Sequence, residues 1–138
     1  MTQHAEGTFE VVSFTPVEVP PALVIEAAMP AGVATMEKRY AGEVDGRSAT
    51  WFTGAQAPDG AGTYVALESF AGSLRGVDGG FTFVHAASTS GSDRSGEFFA
   101  VAAGSGSGGL AGITGSGGMA VEADGTHRVW FDYELPGH

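Results

Sequence analysis

The chain has 138 residues, a formal net charge of −10 and neither cysteine nor asparagine. That length suits one domain able to bury a core without covalent staples. The missing cysteine excludes disulfides, thiolate zinc sites, iron–sulfur clusters and a cysteine nucleophile.

Six basic residues, Lys38, Arg39, Arg47, Arg75, Arg94 and Arg128, are scattered and form no patch able to displace counterions from phosphates. Nucleic acid is therefore not an expected partner. No charged and apolar leader pattern opens the chain, and apolar runs such as that around Ala22 to Ile25 are far too short to cross a bilayer. A soluble cytoplasmic protein with no membrane partner is the expectation. Twenty-three glycines without a collagen period, mixed with aromatics, suit a tightly turned all-β fold.

Gly7 to Phe14 alternates aromatic, branched and polar residues and reads as the first strand. Residues 15–32 carry four prolines around an apolar run and read as an irregular crossing, with room for one short helical turn. Ala34 to Val44 and Ser48 to Ala55 flank Asp45-Gly46-Arg47, a hairpin signal. Gly62 to Leu74 and Gly80 to Ser88 form the longest hairpin, and Ser95 to Ala103 a sixth strand. The run Gly104 to Gly118 reads as a compact turn anchored by Leu110 and Ile113. Met119 to Ala123, a turn at Asp124-Gly125 and His127 to Leu135 complete eight strands. Eight antiparallel strands leave two bare edges unless the last pairs with the first, so a closed eight-stranded antiparallel barrel is expected, wide enough to be filled or to hold one small ligand.

In the long hairpin, period-two alternation puts Tyr64, Ala66, Glu68 and Phe70 on one face, and Phe81, Phe83 and His85 on one face of the other arm. A four-residue loop that pairs Leu74 with Gly79 places Phe70 opposite Phe83 and Glu68 opposite His85; a one-residue slip would separate the pair. The large aromatics cannot all be left in water, so this face is placed inside. A carboxylate beside an imidazole can share acid and base duties near neutral pH, whereas the alternative reading is a structural hydrogen bond. Glu10 is ambiguous. Periodicity alone buries Phe9 and Val11, while Val12 and Phe14 on the face of Glu10 favour turning it inward. Glu37 and Arg39 share a strand face, as an internal pair or a solvated one. Trp51, Phe52, Phe98, Phe99 and Trp130 divide between core and an outer patch, and exposed aromatics on a barrel wall mark a subunit interface, so a homo-oligomer is expected. His4, His85, His127 and His138 show no paired ligand spacing, so no metal site is expected. Gly104-x-Gly106-x-x-Gly109 matches a dinucleotide fingerprint only in letters, because a turn and a strand follow it rather than a helix.

Several blocks together resemble the bacterial DUF3224 family: residues 4–11, Tyr-Val-Ala-Leu-Glu at 64–68, Phe-Thr-Phe-Val-His ending at His85, the Gly104 to Gly118 run, and Phe-Asp-Tyr-Glu-Leu ending at Leu135. The resemblance covers nearly the whole chain and implies an allene oxide cyclase-like barrel, a fold shared with dirigent proteins. More distantly, Phe-Glu-Val on the first strand and Pro21-Ala22-Leu23 are similar to segments of plant allene oxide cyclases, which implies a site role for Glu10 and for Pro21. The chain departs from those enzymes at Val12 and in lacking asparagine, so allene oxide itself is not the expected substrate.

The expected function is a cofactor-free barrel of bacterial secondary metabolism that binds an apolar, polyketide- or terpenoid-like small molecule as a cyclase or isomerase. Glu68, His85 and Glu10 are its candidate catalytic residues. Tyr64, Phe70, Phe81, Phe83, Trp51, Phe131, Tyr133, Pro21, Leu23 and Arg39 are its candidate substrate contacts. A non-catalytic carrier or sensor, or a filled barrel acting through its outer surface, are the competing readings.

Overall fold

The computed structural model describes residues 1–137; His138 lies outside them. Nine strands follow one another: β1 (Gln3–Val17), β2 (Ala31–Gly42), β3 (Val44–Gln56), β4 (Gly62–Leu74), β5 (Val77–Thr89), β6 (Ser95–Val101), β7 (Ser107–Gly108), β8 (Thr114–Val121) and β9 (His127–Glu134). All pairings are antiparallel. Eight of them close into a ring, in the order β4-β3-β2-β1-β9-β8-β6-β5 with β5 returning to β4, while the two-residue β7 lies against β5. The expected pairing of last strand with first is present, from Gln3↔Tyr133 to Phe9↔His127. Between β6 and β8 the ring is joined by one registered pair, Ala100↔Ser116, and Phe99 packs across that joint on Phe131 with centroids 5.4 Å apart. Among the described residues no helix is long and apolar enough to cross a membrane.

Two turns differ from expectation. The β4–β5 hairpin closes through Arg75 and Gly76, both at positive φ (50° and 82°), which is the two-residue geometry whose twist matches a hairpin. Leu74 therefore pairs with Val77, and Phe70 with Phe81 rather than Phe83. The β2–β3 turn falls at Glu43, after Gly42 at positive φ, not at Asp45-Gly46. Val44 is buried and pairs with Leu74, so Asp45 and Gly46 become strand residues.

Side chains inside the ring stack in layers read from the register. From one end these are Gly54–Tyr64–Ala87, then Ala34–Phe52–Ala66–His85–Phe99, then Met36–Thr50–Glu68–Phe83–Val101, then Lys38–Ser48–Phe70–Phe81, then Tyr40–Gly46–Gly72–Gly79. The glycine layer lets three strands approach closely: a Cβ on Gly72 would collide with the Asp45 carbonyl oxygen and the Gly46 Cα. Tyr40, Phe70, Phe81, Phe83, Phe131 and Tyr133 fill the core, and Leu110 and Ile113 anchor the glycine-rich run in it as expected, although Thr114 to Gly118 already belong to β8 rather than to the turn.

A bulge between Val11 and Ser13 resets the alternation of β1. Before it Phe9 faces inward, opposite Tyr40; after it Phe14 does, opposite Met36. Glu10 and Phe14 thus point to opposite sides although their numbers have the same parity. The inward placement of Glu10 is corrected: its side chain is 70% exposed, 3.9 Å from an equally exposed Arg39. The crossing, residues 18–30, contains no helical turn and leaves Leu23, Val24 and Ile25 exposed.

Candidate active site

The Glu68 carboxylate sits in the middle layer, 0% exposed. Burying an ionised carboxylate is tolerated only when donors satisfy it, and four do. Lys38 Nζ donates to Oε1 at 2.9 Å, Ser48 Oγ to Oε2 at 2.5 Å, the Tyr40 hydroxyl to Oε2, and His85 Nε2 to Oε1 at 2.9 Å. Lys38 is the only lysine in the chain; it is 4% exposed and also lies over the Phe9 ring at 4.8 Å. Burial alone pushes the Glu68 carboxyl up. The His85 hydrogen bond, the Lys38 charge and the Ser48 and Tyr40 hydroxyls outweigh it and hold the group at about 2. Burial and the neighbouring Glu68 charge drive the Tyr40 phenol well above its ordinary value.

Ala66 explains where His85 can reach. The imidazole lies opposite this small residue, not opposite Glu68, so it is diagonal to both neighbours of Ala66 on the inner face of β4. Its Nε2 meets Glu68, and its Nδ1 is 3.0 Å from the Tyr64 hydroxyl. Phe83 and Phe99 stack on the ring with centroids 5.6 and 5.8 Å away and hold its plane. The Tyr64 hydroxyl receives Arg94 Nη2 at 3.3 Å, and the Arg94 guanidinium also pairs with Glu97.

An ionised carboxylate only accepts, so His85 Nε2 carries hydrogen; a guanidinium only donates, which leaves the Tyr64 hydroxyl hydrogen free for Nδ1. With a neutral imidazole the chain runs in one direction, Arg94 to Tyr64 to His85 to Glu68. It starts in a cleft of about 570 Å³ at the open end of the ring, whose lining includes Tyr64, Arg94, Phe14, Phe52, Ala34 and Val33. Phe52 stacks on Tyr64 at 5.3 Å and meets Phe14 edge-on at 5.5 Å, so the cleft wall is aromatic with one phenol and one guanidinium. A second cleft of about 630 Å³ runs between the crossing and the outside of β3 and β4, and also reaches Tyr64.

A family model described as "Protein of unknown function (DUF3224)" matches residues 5–133. The chain belongs to the DUF3224 family. A crystal structure of a DUF3224 protein of unknown function from Shewanella oneidensis MR-1 is similar over 100% of both chains, at 26% identity and a TM-score of 0.86. No curated protein matches.

In this DUF3224 member the sequence-derived candidates separate into three groups. Glu68, His85 and Tyr64 come together. Phe70, Phe81, Phe83, Phe131 and Tyr133 are packed in the core and do not line the cleft, and neither do Glu68 and His85, which lie beneath its wall. Glu10, Arg39, Trp51 and Leu23 face away from the interior, Trp51 being 60% and Leu23 72% exposed. The reason for Trp51 is parity: on β3 the even residues Ser48, Thr50 and Phe52 face inward. Pro21 lines the second cleft outside the ring. Lys38, Tyr40, Ser48 and Arg94 were not anticipated as site residues. A signal for Lys38 and Tyr40 was present, since they alternate with Glu37 and Arg39, and a lone lysine on the face of a tyrosine and a methionine is out of place on a solvated wall. Thr50 Oγ1, opposite Glu68 in the register, is buried and has no partner among the described residues. The described residues place no three metal-ligating side chains together.

Proposed function

We propose that the ring is a barrel of the allene oxide cyclase type, and that the protein is a cytoplasmic, cofactor-free isomerase or cyclase acting on an apolar, polyketide- or terpenoid-like molecule with one oxygen function. The reading rests on one observation, the unbroken run from cleft to buried carboxylate through Tyr64, His85 and Glu68. When His85 Nδ1 takes the phenol proton, the Glu68 charge stabilises the imidazolium and the Arg94 guanidinium stabilises the phenolate. Tyr64 is then the base that removes a proton from a carbon beside a substrate carbonyl. The same proton, returned at another position, completes an isomerisation with no oxidant or reductant. The aromatic wall supplies the other half of the work by holding a flexible substrate in one fold. Glu10 has no part in this scheme.

A carrier or sensor is the second reading, favoured by the position of Glu68 and His85 beneath the cleft wall rather than in it. The apolar, readily enolised ketone 2-tetralone separates the two. In D₂O the protein should speed deuterium exchange at the α-carbon, followed by NMR, and Tyr64→Phe should reduce the protein-dependent rate by about 100-fold or more while binding persists. Saturable binding of 2-tetralone with exchange no faster than in buffer would favour the carrier.

A further inference from the structure

The register lays out the outer wall of the ring in rows. One row reads Thr35–Trp51–Leu67–Val84–Ala100 and the next Val33–Thr53–Val65–Ala86–Phe98. Neither carries a charged side chain across five strands. Trp51, Val65, Leu67 and Phe98 are exposed large apolar residues, and the whole outer face of β4, from Thr63 to Ser73, is uncharged. Among the strands, charge returns at the borders, with Glu37 and Arg39 on β2, Asp45 and Arg47 on β3, Asp78 on β5 and Glu97 on β6, while Glu18 of the crossing lines the second cleft beside Val33, Thr53 and Val65. The other side of the ring is the reverse: His4, Glu6, Glu122, Arg128 and Asp132 crowd β1, β9 and the turn before it in a network of ion pairs. A chain of net charge −10 that concentrates ionic groups on one wall and clears them from the opposite one is not arranged for solubility on that cleared wall.

We propose that the outer wall of β3–β6 is the contact face for a second copy of this chain, packed wall to wall about a two-fold axis. Two observations select a second copy. First, the partner with most to lose from electrostatic repulsion is another molecule of charge −10, and apposing the cleared walls turns both ionic walls outward, away from each other. Second, the face carries its own complement. The large row of Trp51, Leu67 and Val84 runs beside a small row of Ala49, Ser69 and Thr82, so the ridge of one copy fits the furrow of the other, as a two-fold contact requires. Trp51 is the central anchor, flanked by Ala49 and Thr53 on its own strand and opposite Leu67. This assignment does not depend on what the cleft does, because the rows lie on the outside of strands whose inner faces build the site.

Sedimentation velocity and light scattering of the full chain test it. The native protein should have twice the mass of the 14.0 kDa chain. Trp51→Lys, which blunts the ridge, and Ala49→Arg, which fills the furrow, should each weaken dimerisation by about thirtyfold or more. Both positions are exposed, so both variants should keep the native β circular-dichroism spectrum, with a melting temperature lowered only as far as the lost association requires. Thr8→Arg, on the ionic wall, should remain dimeric. A native protein that stays at 14.0 kDa into the high micromolar range, or an oligomer that survives both substitutions, would overturn the proposal. So would a native monomer that binds zwitterionic phospholipid vesicles through Trp51, since the wall would then serve a lipid surface.

Discussion

Replacing Lys38 by methionine is expected to lower the unfolding free energy by about 3–5 kcal/mol, the usual cost of leaving one member of a buried ion pair without the other. The size follows from the geometry. Glu68 is 0% and Lys38 4% exposed, so neither group can turn to water when its partner is lost, and methionine keeps the volume that packs on Phe9. Three donors, from His85, Tyr40 and Ser48, remain on the carboxylate, but only one of the four carried a full fixed charge. Urea denaturation of Lys38→Met, Glu68→Gln and the double variant measures the pair directly. The double variant should be more stable than the sum of the two losses predicts, by about 1–3 kcal/mol. Additive losses would mean that the two side chains do not interact in the folded protein.

Acid should act through the same carboxylate. The folded protein holds Glu68 at about 2, below the ordinary 4.5, so the unfolded chain binds its proton first as pH falls. The stability this provides is fully present above pH 4.5 and is lost as pH drops through 4.5 toward 2. The depression corresponds to about 3 kcal/mol. The other carboxylates titrate in that range too, so the informative quantity is the difference between native protein and Glu68→Gln. The gap in unfolding free energy should narrow by about that amount as the pH is lowered. A gap that stays constant with pH would remove Glu68 as the buried anion of the fold.

Which residues face inward was legible in the sequence wherever a strand kept strict alternation. Tyr64, Glu68, Phe81, Phe83 and His85 all fall on the inner side because period two survives even a mistaken loop length. The expected register of the long hairpin was two residues off, and an even shift moves partners without changing faces. That shift nevertheless hid the contact between His85 and Tyr64. With His85 opposite Glu68, the imidazole has no reason to reach Tyr64; opposite Ala66 it touches both.

Glu10 shows where alternation fails. The bulge at Val11 to Ser13 inserts one residue into β1 and inverts everything after it, and Phe14 then argues falsely for its even-numbered neighbour. Nothing in Glu-Val-Val-Ser marks the insertion, since each of those residues suits a strand on either face. The Lys38 cluster was hidden for another reason. Ionisable residues at positions 37, 38 and 39 suggest a solvated strand, and the weak signal of Lys38 sharing a face with Met36 and Tyr40 gains weight only once the burial of Glu68 is known.

The buried Glu68 carboxylate sets the direction of hydrogen bonding along the run from the Tyr64 phenol in the cleft through His85. Nitrogen-15 NMR of the His85 side chain reads this directly. The expected pattern is hydrogen on Nε2 and an unprotonated Nδ1 that accepts from Tyr64. Tyr64→Phe should shift the Nδ1 resonance toward that of a free imine nitrogen. A resonance pattern with hydrogen on Nδ1 and none on Nε2, or an Nδ1 signal indifferent to Tyr64→Phe, would contradict it.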